Sequence, residues 1–108
     1  MQNLLKETID ILHKNGRVES DVMWVGRGFN SVNYPWKENE LRKNTWSYFE
    51  KNADFIYDNG FCGEVIPLDL VVVGKDFWLE RHSYDGSEWW EFKSIPVEPD
   101  VTEEFDIR

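Results

Sequence analysis

The stretch that decides the fold runs from Val71 to Lys93 and reads VVVGKDFWLERHSYDGSEWWEFK. It contains three of the six tryptophans of the chain and two signals for tight turns. Gly74-Lys75-Asp76 follows a continuous apolar run, and Asp85-Gly86 is typical of a two-residue type I′ hairpin loop. The stretch therefore predicts consecutive antiparallel strands that end in a β-hairpin.

A two-residue loop at Asp85-Gly86 determines how the hairpin strands pair. Leu79 is then opposite Phe92, and Glu80 is opposite Glu91. Because side chains alternate along a strand, the hairpin has two distinct faces. One face, which we call the inner face, is mostly apolar and is predicted to pack against helices; it consists of Phe77, Leu79, Arg81, Trp90 and Phe92.

Arg81 is the one charged residue on this predicted inner face. Beside Trp90, its guanidinium group suits a cation–π contact. Alternatively, Arg81 lies along the edge of the core and keeps its charged end in water.

The opposite face, which we call the outer face, combines aromatic and charged side chains. It consists of Trp78, Glu80, His82, Tyr84, Trp89, Glu91 and Lys93. Directly opposed like charges destabilise a sheet, so Glu80 and Glu91 need compensation, for which Lys93 and His82 are well placed.

Three interpretations of the outer face are open from sequence. Tryptophan, tyrosine and charged neighbours are typical of protein-docking surfaces. A small-molecule or hydrolase site could instead use Glu80 and Glu91, with His82 beside them. The third option is a face covered by loops or by the tail of the same chain. We predict a non-enzymatic protein-binding or regulatory module that uses this face, with the ligand-binding or hydrolase site as the alternative.

Two helices are expected before the sheet. Asn3 is a suitable N-cap for a helix over Leu4–Lys14, and Gly16 is a suitable stop. Thr45 is a suitable N-cap for a second helix that ends before Asn59-Gly60. The buried stripe of this second helix is predicted to be Trp46, Phe49, Ala53 and Ile56.

The remaining strands are shorter. Val22–Val25 predicts a strand that ends at Gly26, and Val65-Ile66 with Leu68–Val73 begins the main sheet. The predicted fold class is α+β, with an antiparallel sheet of three to five strands and a C-terminal β-hairpin packed against two helices.

Residues 1–95 are predicted to form a single globular domain. Residues 96–108 form an acidic tail that contains Pro96 and Pro99 and alternates acidic with apolar residues. This tail is either loosely docked or a short linear interaction segment.

Charge restricts the classes of partner. The formal net charge is −9, and residues 61–108 hold twelve acidic but only four basic residues. No basic patch for nucleic acid is visible, whereas an acidic half attracts a basic surface. We therefore expect a protein partner with a basic surface, no direct binding of nucleic acid and no membrane association. One form of this hypothesis is an acidic mimic that competes for a nucleic-acid-binding partner. Homodimerisation through the sheet is a further option.

Other chemistry is sparse. Cys62 is the single cysteine, which excludes an intramolecular disulfide, and His13 and His82 are the two histidines. We expect no metal, no cofactor and a cytoplasmic location.

The segment from Phe77 to His82, with Tyr84 to Phe92, resembles small proteins of bacteria and their prophages that form domain-of-unknown-function families. The resemblance covers the last third of the chain. It implies a bacterial cytoplasmic setting, and it assigns no activity and no catalytic residue.

Overall fold

A computed structural model describes residues 1–28, 41–60 and 65–108 of the chain. In chain order its elements are β1 (Gln2–Asn3), α1 (Leu4–Lys14), β2 (Val22–Arg27), β3 (Arg42–Asn44), α2 (Trp46–Asn52), β4 (Ile56–Tyr57), β5 (Val71–Gly74), β6 (Phe77–Tyr84) and β7 (Ser87–Ser94). A 3-10 turn, Glu19–Asp21, precedes β2.

The described strands form two antiparallel sheets. The larger sheet has the order β3-β2-β5-β6-β7, and β1 pairs with β4 in a two-stranded sheet. The predicted α+β fold, with its C-terminal hairpin and two helices, is confirmed.

The hairpin register also agrees with the sequence-based prediction. Leu79 pairs with Phe92, and Glu80 pairs with Glu91. The loop has two residues with positive φ, 51° at Asp85 and 83° at Gly86, as a type I′ turn requires. The two faces are therefore the inner and outer faces defined above.

Helix α1 has the predicted limits because both of its ends are capped. The Asn3 side chain accepts a hydrogen bond from the Lys6 backbone N–H at 2.9 Å, and Gly16 takes the left-handed conformation with φ 74°. Leu4, Thr8 and Leu12 form the buried stripe. The Trp90 indole N–H donates to the Thr8 hydroxyl at 2.8 Å, which joins the helix to the inner face of the sheet.

Helix α2 begins as predicted but ends earlier. The Thr45 hydroxyl accepts from the Tyr48 N–H at 3.1 Å, and the helix stops at Asn52. The prediction that Ile56 belongs to the buried stripe is wrong, since Ile56 lies in β4 and is 61% exposed. Because β4 pairs with β1 as a strand, neighbouring residues face opposite sides, and Tyr57 is buried while Ile56 faces solvent.

Two strand limits also differ from the predictions. Strand β2 continues through Gly26 to Arg27, and β5 begins at Val71. Val65 and Ile66 are not in a strand, because their backbone N–H groups donate to the Glu88 carboxylate at 2.6 and 2.9 Å. The Glu88 carboxylate therefore accepts the hydrogen bonds that the carbonyl groups of a neighbouring strand would otherwise accept.

Both helices cover the inner face of the sheet. The hydrophobic core joins Val25, Val72, Phe77, Leu79 and Trp90 of the sheet to Leu4, Leu12, Phe49 and Ala53 from the helices and their ends. Within the described residues, neither helix is long and apolar enough to cross a membrane.

Arg81 lies inside this core. Its side chain is fully buried and pairs with Glu88 at 3.0 Å and with Glu7 at 3.5 Å, so the alternative with its head in water is wrong. The predicted cation–π contact is confirmed, with the guanidinium carbon 4.9 Å from the Trp90 ring centroid. The Tyr57 hydroxyl donates a hydrogen bond to Glu7 and accepts one from Arg81. Arg81, Glu88, Glu7 and Tyr57 thus form one cluster of polar side chains inside the core.

Candidate functional site

The outer face consists of rows of side chains that run across the five-stranded sheet. One row contains Trp24, Val73, Trp78 and Lys93, and the next contains Gly26, Val71, Glu80 and Glu91. A third row pairs His82 with Trp89. The two glutamates thus lie side by side at the centre of the hairpin, with a tryptophan on either side along the strands.

Each glutamate accepts a hydrogen bond from a tryptophan of its own strand. The Trp78 indole N–H donates to Glu80 at 2.8 Å, and the Trp89 indole N–H donates to Glu91 at 3.1 Å. In both strands the tryptophan precedes its glutamate by two residues, so the two side chains share a face. The repeated Trp-x-Glu pattern holds both carboxylates in fixed positions.

His82 and Lys93 complete this cluster. His82 Nε2 lies 2.8 Å from Glu80 Oε2 and 3.7 Å from Glu91 Oε1. Lys93 Nζ lies 3.2 Å from the same Glu91 oxygen. Contacts with His82 and Lys93 are those expected from sequence to offset the opposed carboxylates.

The predicted members of the site differ in exposure. The Glu80 side chain is 7% exposed, whereas the Glu91 side chain is 35% exposed. Trp78, His82 and Trp89 are half-buried. Tyr84 lies near the turn, 78% exposed and apart from the carboxylates. A ligand approaching this face therefore meets Glu91, the more exposed Lys93 beside it, and the exposed parts of Trp78 and Trp89.

The Glu91 carboxylate is stabilised in its ionised form. The hydrogen bond from Trp89 lowers the pKa of Glu91, and the hydrogen bond from Lys93 and the charge of His82 act in the same direction. Burial opposes this shift more weakly than the Trp89 hydrogen bond favours it. Glu91 is consequently an anion at neutral pH and a poor proton donor.

Trp24 belongs to the outer face, although the sequence did not assign it to the site. A side chain at Gly26 would meet the Trp24 ring at 2.7 Å, so the indole lies directly over the glycine. The alternation of Trp24 with buried Val25 is a signal for this placement. Its position beside Val73 could not be deduced, because no short turn links β2 to β5.

A second concave region lies on the inner side of the sheet and was not predicted. This inner groove has a volume of about 560 Å³ between β2, β3, α2 and residues 65–70. Val25, Phe49 and Ala53 are buried beneath it, while Tyr48, Phe55 and Val65 line it and are about half-exposed. Among the described residues that line the groove, the charged ones are Arg27, Arg42 and Lys43. The groove is thus apolar with a basic edge.

The catalytic alternative gains little from this geometry. A glycosidase needs one carboxylic acid that is protonated when it meets its substrate. The lowered pKa of Glu91 disfavours that role, and Glu80 is almost completely buried. Over residues 1–28, 41–60 and 65–108, no group of three or more potential ligands is arranged to hold a metal ion. Cys62 lies outside the described residues.

Comparisons with family models, with curated proteins and with solved structures returned no match.

Proposed function

We propose that the outer face binds a positively charged segment of a partner protein, and that the protein is a non-enzymatic binding or regulatory module of the bacterial cytoplasm. The observation that supports this most is the pair of adjacent carboxylates of Glu80 and Glu91, each held by a tryptophan N–H. Oriented carboxylates pair with arginine or lysine, and flanking indoles add cation–π attraction.

Electrostatics favours the same class of partner. The half of the chain that contains the hairpin has a net charge of −8, from four basic and twelve acidic residues. Such a field accelerates the approach of a basic surface. A partner that itself binds nucleic acid has a surface of this kind, so competition with nucleic acid is one mode of regulation open to the protein.

A small-ligand or hydrolase site at Glu80, Glu91 and His82 is the less favoured alternative. Its main difficulty is the burial of Glu80. Hydrolysis with two carboxyl groups needs a proton donor that reaches the substrate; with Glu91 ionised, this donor is Glu80, which is only 5% exposed.

Binding of an arginine-rich peptide, followed by tryptophan fluorescence and calorimetry, tests the proposal. We expect Glu91→Gln to weaken binding about tenfold, because it removes the exposed half of the carboxylate pair. Glu50→Gln is the matched control, since it removes the same charge from an exposed position on α2, across the sheet from the outer face. Its affinity should stay close to that of the parent chain.

A capture experiment tests the aromatic contribution. The parent chain and a Trp78→Ala, Trp89→Ala double variant are used to recover proteins from a bacterial lysate. Loss of basic partners in the double variant supports the proposal. Identical sets of partners for the two chains, or equal peptide affinities for Glu91→Gln and Glu50→Gln, would show that this face does not bind.

A further inference from the structure

The tail is a second unexplained surface of the molecule. The last backbone hydrogen bond before it runs from the Ile95 N–H to the Asp76 carbonyl at 2.9 Å, and every residue from 94 to 108 is exposed. Four apolar side chains of the tail are exposed to between 69% and 91%: Val97, Val101, Phe105 and Ile107. Apolar groups left in water along one segment are typical of a binding segment that has not met its partner.

The tail sequence has the alternation of a strand with two different sides. In an extended chain, the odd-numbered residues share one side, namely Val97, Pro99, Val101, Glu103, Phe105 and Ile107. The even-numbered side contains Glu98, Asp100, Glu104 and Asp106. The tail can thus present an apolar side and an acidic side at once.

The inner groove has the complementary chemistry. It is lined by apolar side chains, with Tyr48 and Val65 half-exposed. Arg27 is bonded to Asp69 at 2.9 Å, whereas Arg42 and Lys43 have no acidic partner among the described residues. An acidic segment with apolar side chains would satisfy both the apolar lining and these basic residues.

The groove also adjoins an edge of the sheet. Strand β3 is the terminal strand of the five-stranded order, and all three of its residues, Arg42–Asn44, are exposed. An edge strand offers unpaired backbone groups, and an extended peptide binds by adding itself as a further strand. Alternate side chains of such a peptide then enter the neighbouring groove.

We propose that the tail of one copy of this chain docks, as an extended strand along β3, in the inner groove of a second copy. The docking is reciprocal, because each copy offers one tail and one groove, and exchange of tails closes a two-fold dimer. Phe105 and Ile107 enter the apolar groove, where Glu103, on the same side of the tail, meets Arg42. The acidic side chains of the other side meet Lys43, because successive residues of β3 face opposite sides of the sheet.

The placement of the tail favours a second copy over the same chain. Every residue from 94 to 108 is exposed, and Val97, Phe105 and Ile107 are at least 80% exposed. The tail is therefore not packed against the described part of its own chain, and its apolar side is available for exchange.

Sedimentation velocity on the full chain, over a concentration series, measures the proposed dimer. We expect a monomer–dimer equilibrium that shifts toward monomer in high salt, because the charge pairs are screened. Phe105→Ser with Ile107→Ser, the tail variant, should raise the dimer dissociation constant at least about tenfold. Met23→Ser is the matched control, since Met23 is also exposed but belongs neither to the tail nor to the residues that line the groove; it should leave the dimer unchanged.

Mixing two variants distinguishes exchange from every other contact. Arg42→Glu with Val65→Glu, the groove variant, should be monomeric alone, as should the tail variant. Their mixture can still place an intact tail in an intact groove, so it should form a heterodimer. A full chain that is monomeric throughout, or a tail variant that dimerises like the parent, overturns the proposal. So does a mixture that fails to associate, which would show that the parent dimer forms through a contact other than a tail in a groove. None of these outcomes affects the peptide test of the outer face, because the groove lies on the other side of the sheet.

Discussion

At the scale of single residues, Arg81 and Glu88 are charged side chains buried in the core, and each depends on the other to balance its charge. Both are essentially removed from water, and they contact each other at 3.0 Å. A buried ion pair contributes little net stability compared with a well-packed apolar pair, but loss of one partner leaves an uncompensated charge. Glu88 also accepts two backbone N–H groups, so it determines the path of residues 65–66 as well as the charge balance.

Replacement of Glu88 should therefore be strongly destabilising. We expect Glu88→Gln to lower the free energy of unfolding by about 3–5 kcal/mol, because Arg81 keeps its charge and loses its closest anion. Urea denaturation followed by tryptophan fluorescence measures the change. The exposed Glu50→Gln should stay within about 0.5 kcal/mol of the parent chain. Equal stability of the two variants would contradict the account of the cluster.

Tyr57, which belongs to the same cluster, makes the stability of the fold depend on pH in the alkaline range. Burial, followed by the hydrogen bond to Glu7, raises the pKa of Tyr57 to about 12 from 10.0. A pKa that is higher in the folded state contributes stability below the unfolded value, and this contribution is lost as the pH rises through the folded value. The fold should consequently weaken between pH 10 and about 12 through this residue.

Absorbance titration of tyrosinate checks this expectation. One of the four tyrosines should ionise late, together with unfolding, and Tyr57→Phe should remove this late step. Tyr84→Phe is the control, since Tyr84 is 78% exposed and its loss should leave the late step in place. Ionisation of all tyrosines in one early step would refute the burial argument.

At the scale of elements, the pairing of β2 with β3 depends on Gly26. A Cβ atom there would meet the Arg42 carbonyl oxygen on one side and the Trp24 ring on the other. The carbonyl belongs to the neighbouring strand and cannot move without disturbing the ladder. Gly26 thus allows Trp24 to lie flat on the outer face.

Gly26→Ala should accordingly be destabilising by about 1–3 kcal/mol, as expected for overpacking. It should also change the environment of Trp24, visible in the fluorescence spectrum of the folded state. Gly60→Ala is the control, because the nearest atom to a Cβ there is 3.9 Å away. Equal stabilities for both variants would place Trp24 elsewhere.

At the scale of the whole molecule, two different surfaces lie on opposite sides of one sheet. The outer face holds oriented carboxylates between tryptophans, and the inner side holds the core together with the apolar groove. Both helices pack against the inner side. The basic partner and the second copy that we propose would therefore bind on opposite sides of the sheet.

The sequence by itself determined the hairpin, its register and the two helix starts. Asp85-Gly86, Asn3 and Thr45 act through bonds within a few residues, and alternation then assigns each hairpin side chain to a face. For this reason the amino-acid order alone places five side chains together on the outer face: Trp78, Glu80, His82, Trp89 and Glu91.

Only the tertiary structure decided what meets the hairpin. Trp24 lies on the outer face because β2 pairs with β5, and Glu7 of α1 contacts Arg81. Tyr57 is buried in place of Ile56 because β4 pairs with β1. The groove likewise combines residues from β2, β3, α2 and residues 65–70. These contacts join segments far apart in the chain. Their formation depends on how the whole core packs, so no local pattern of residues specifies them.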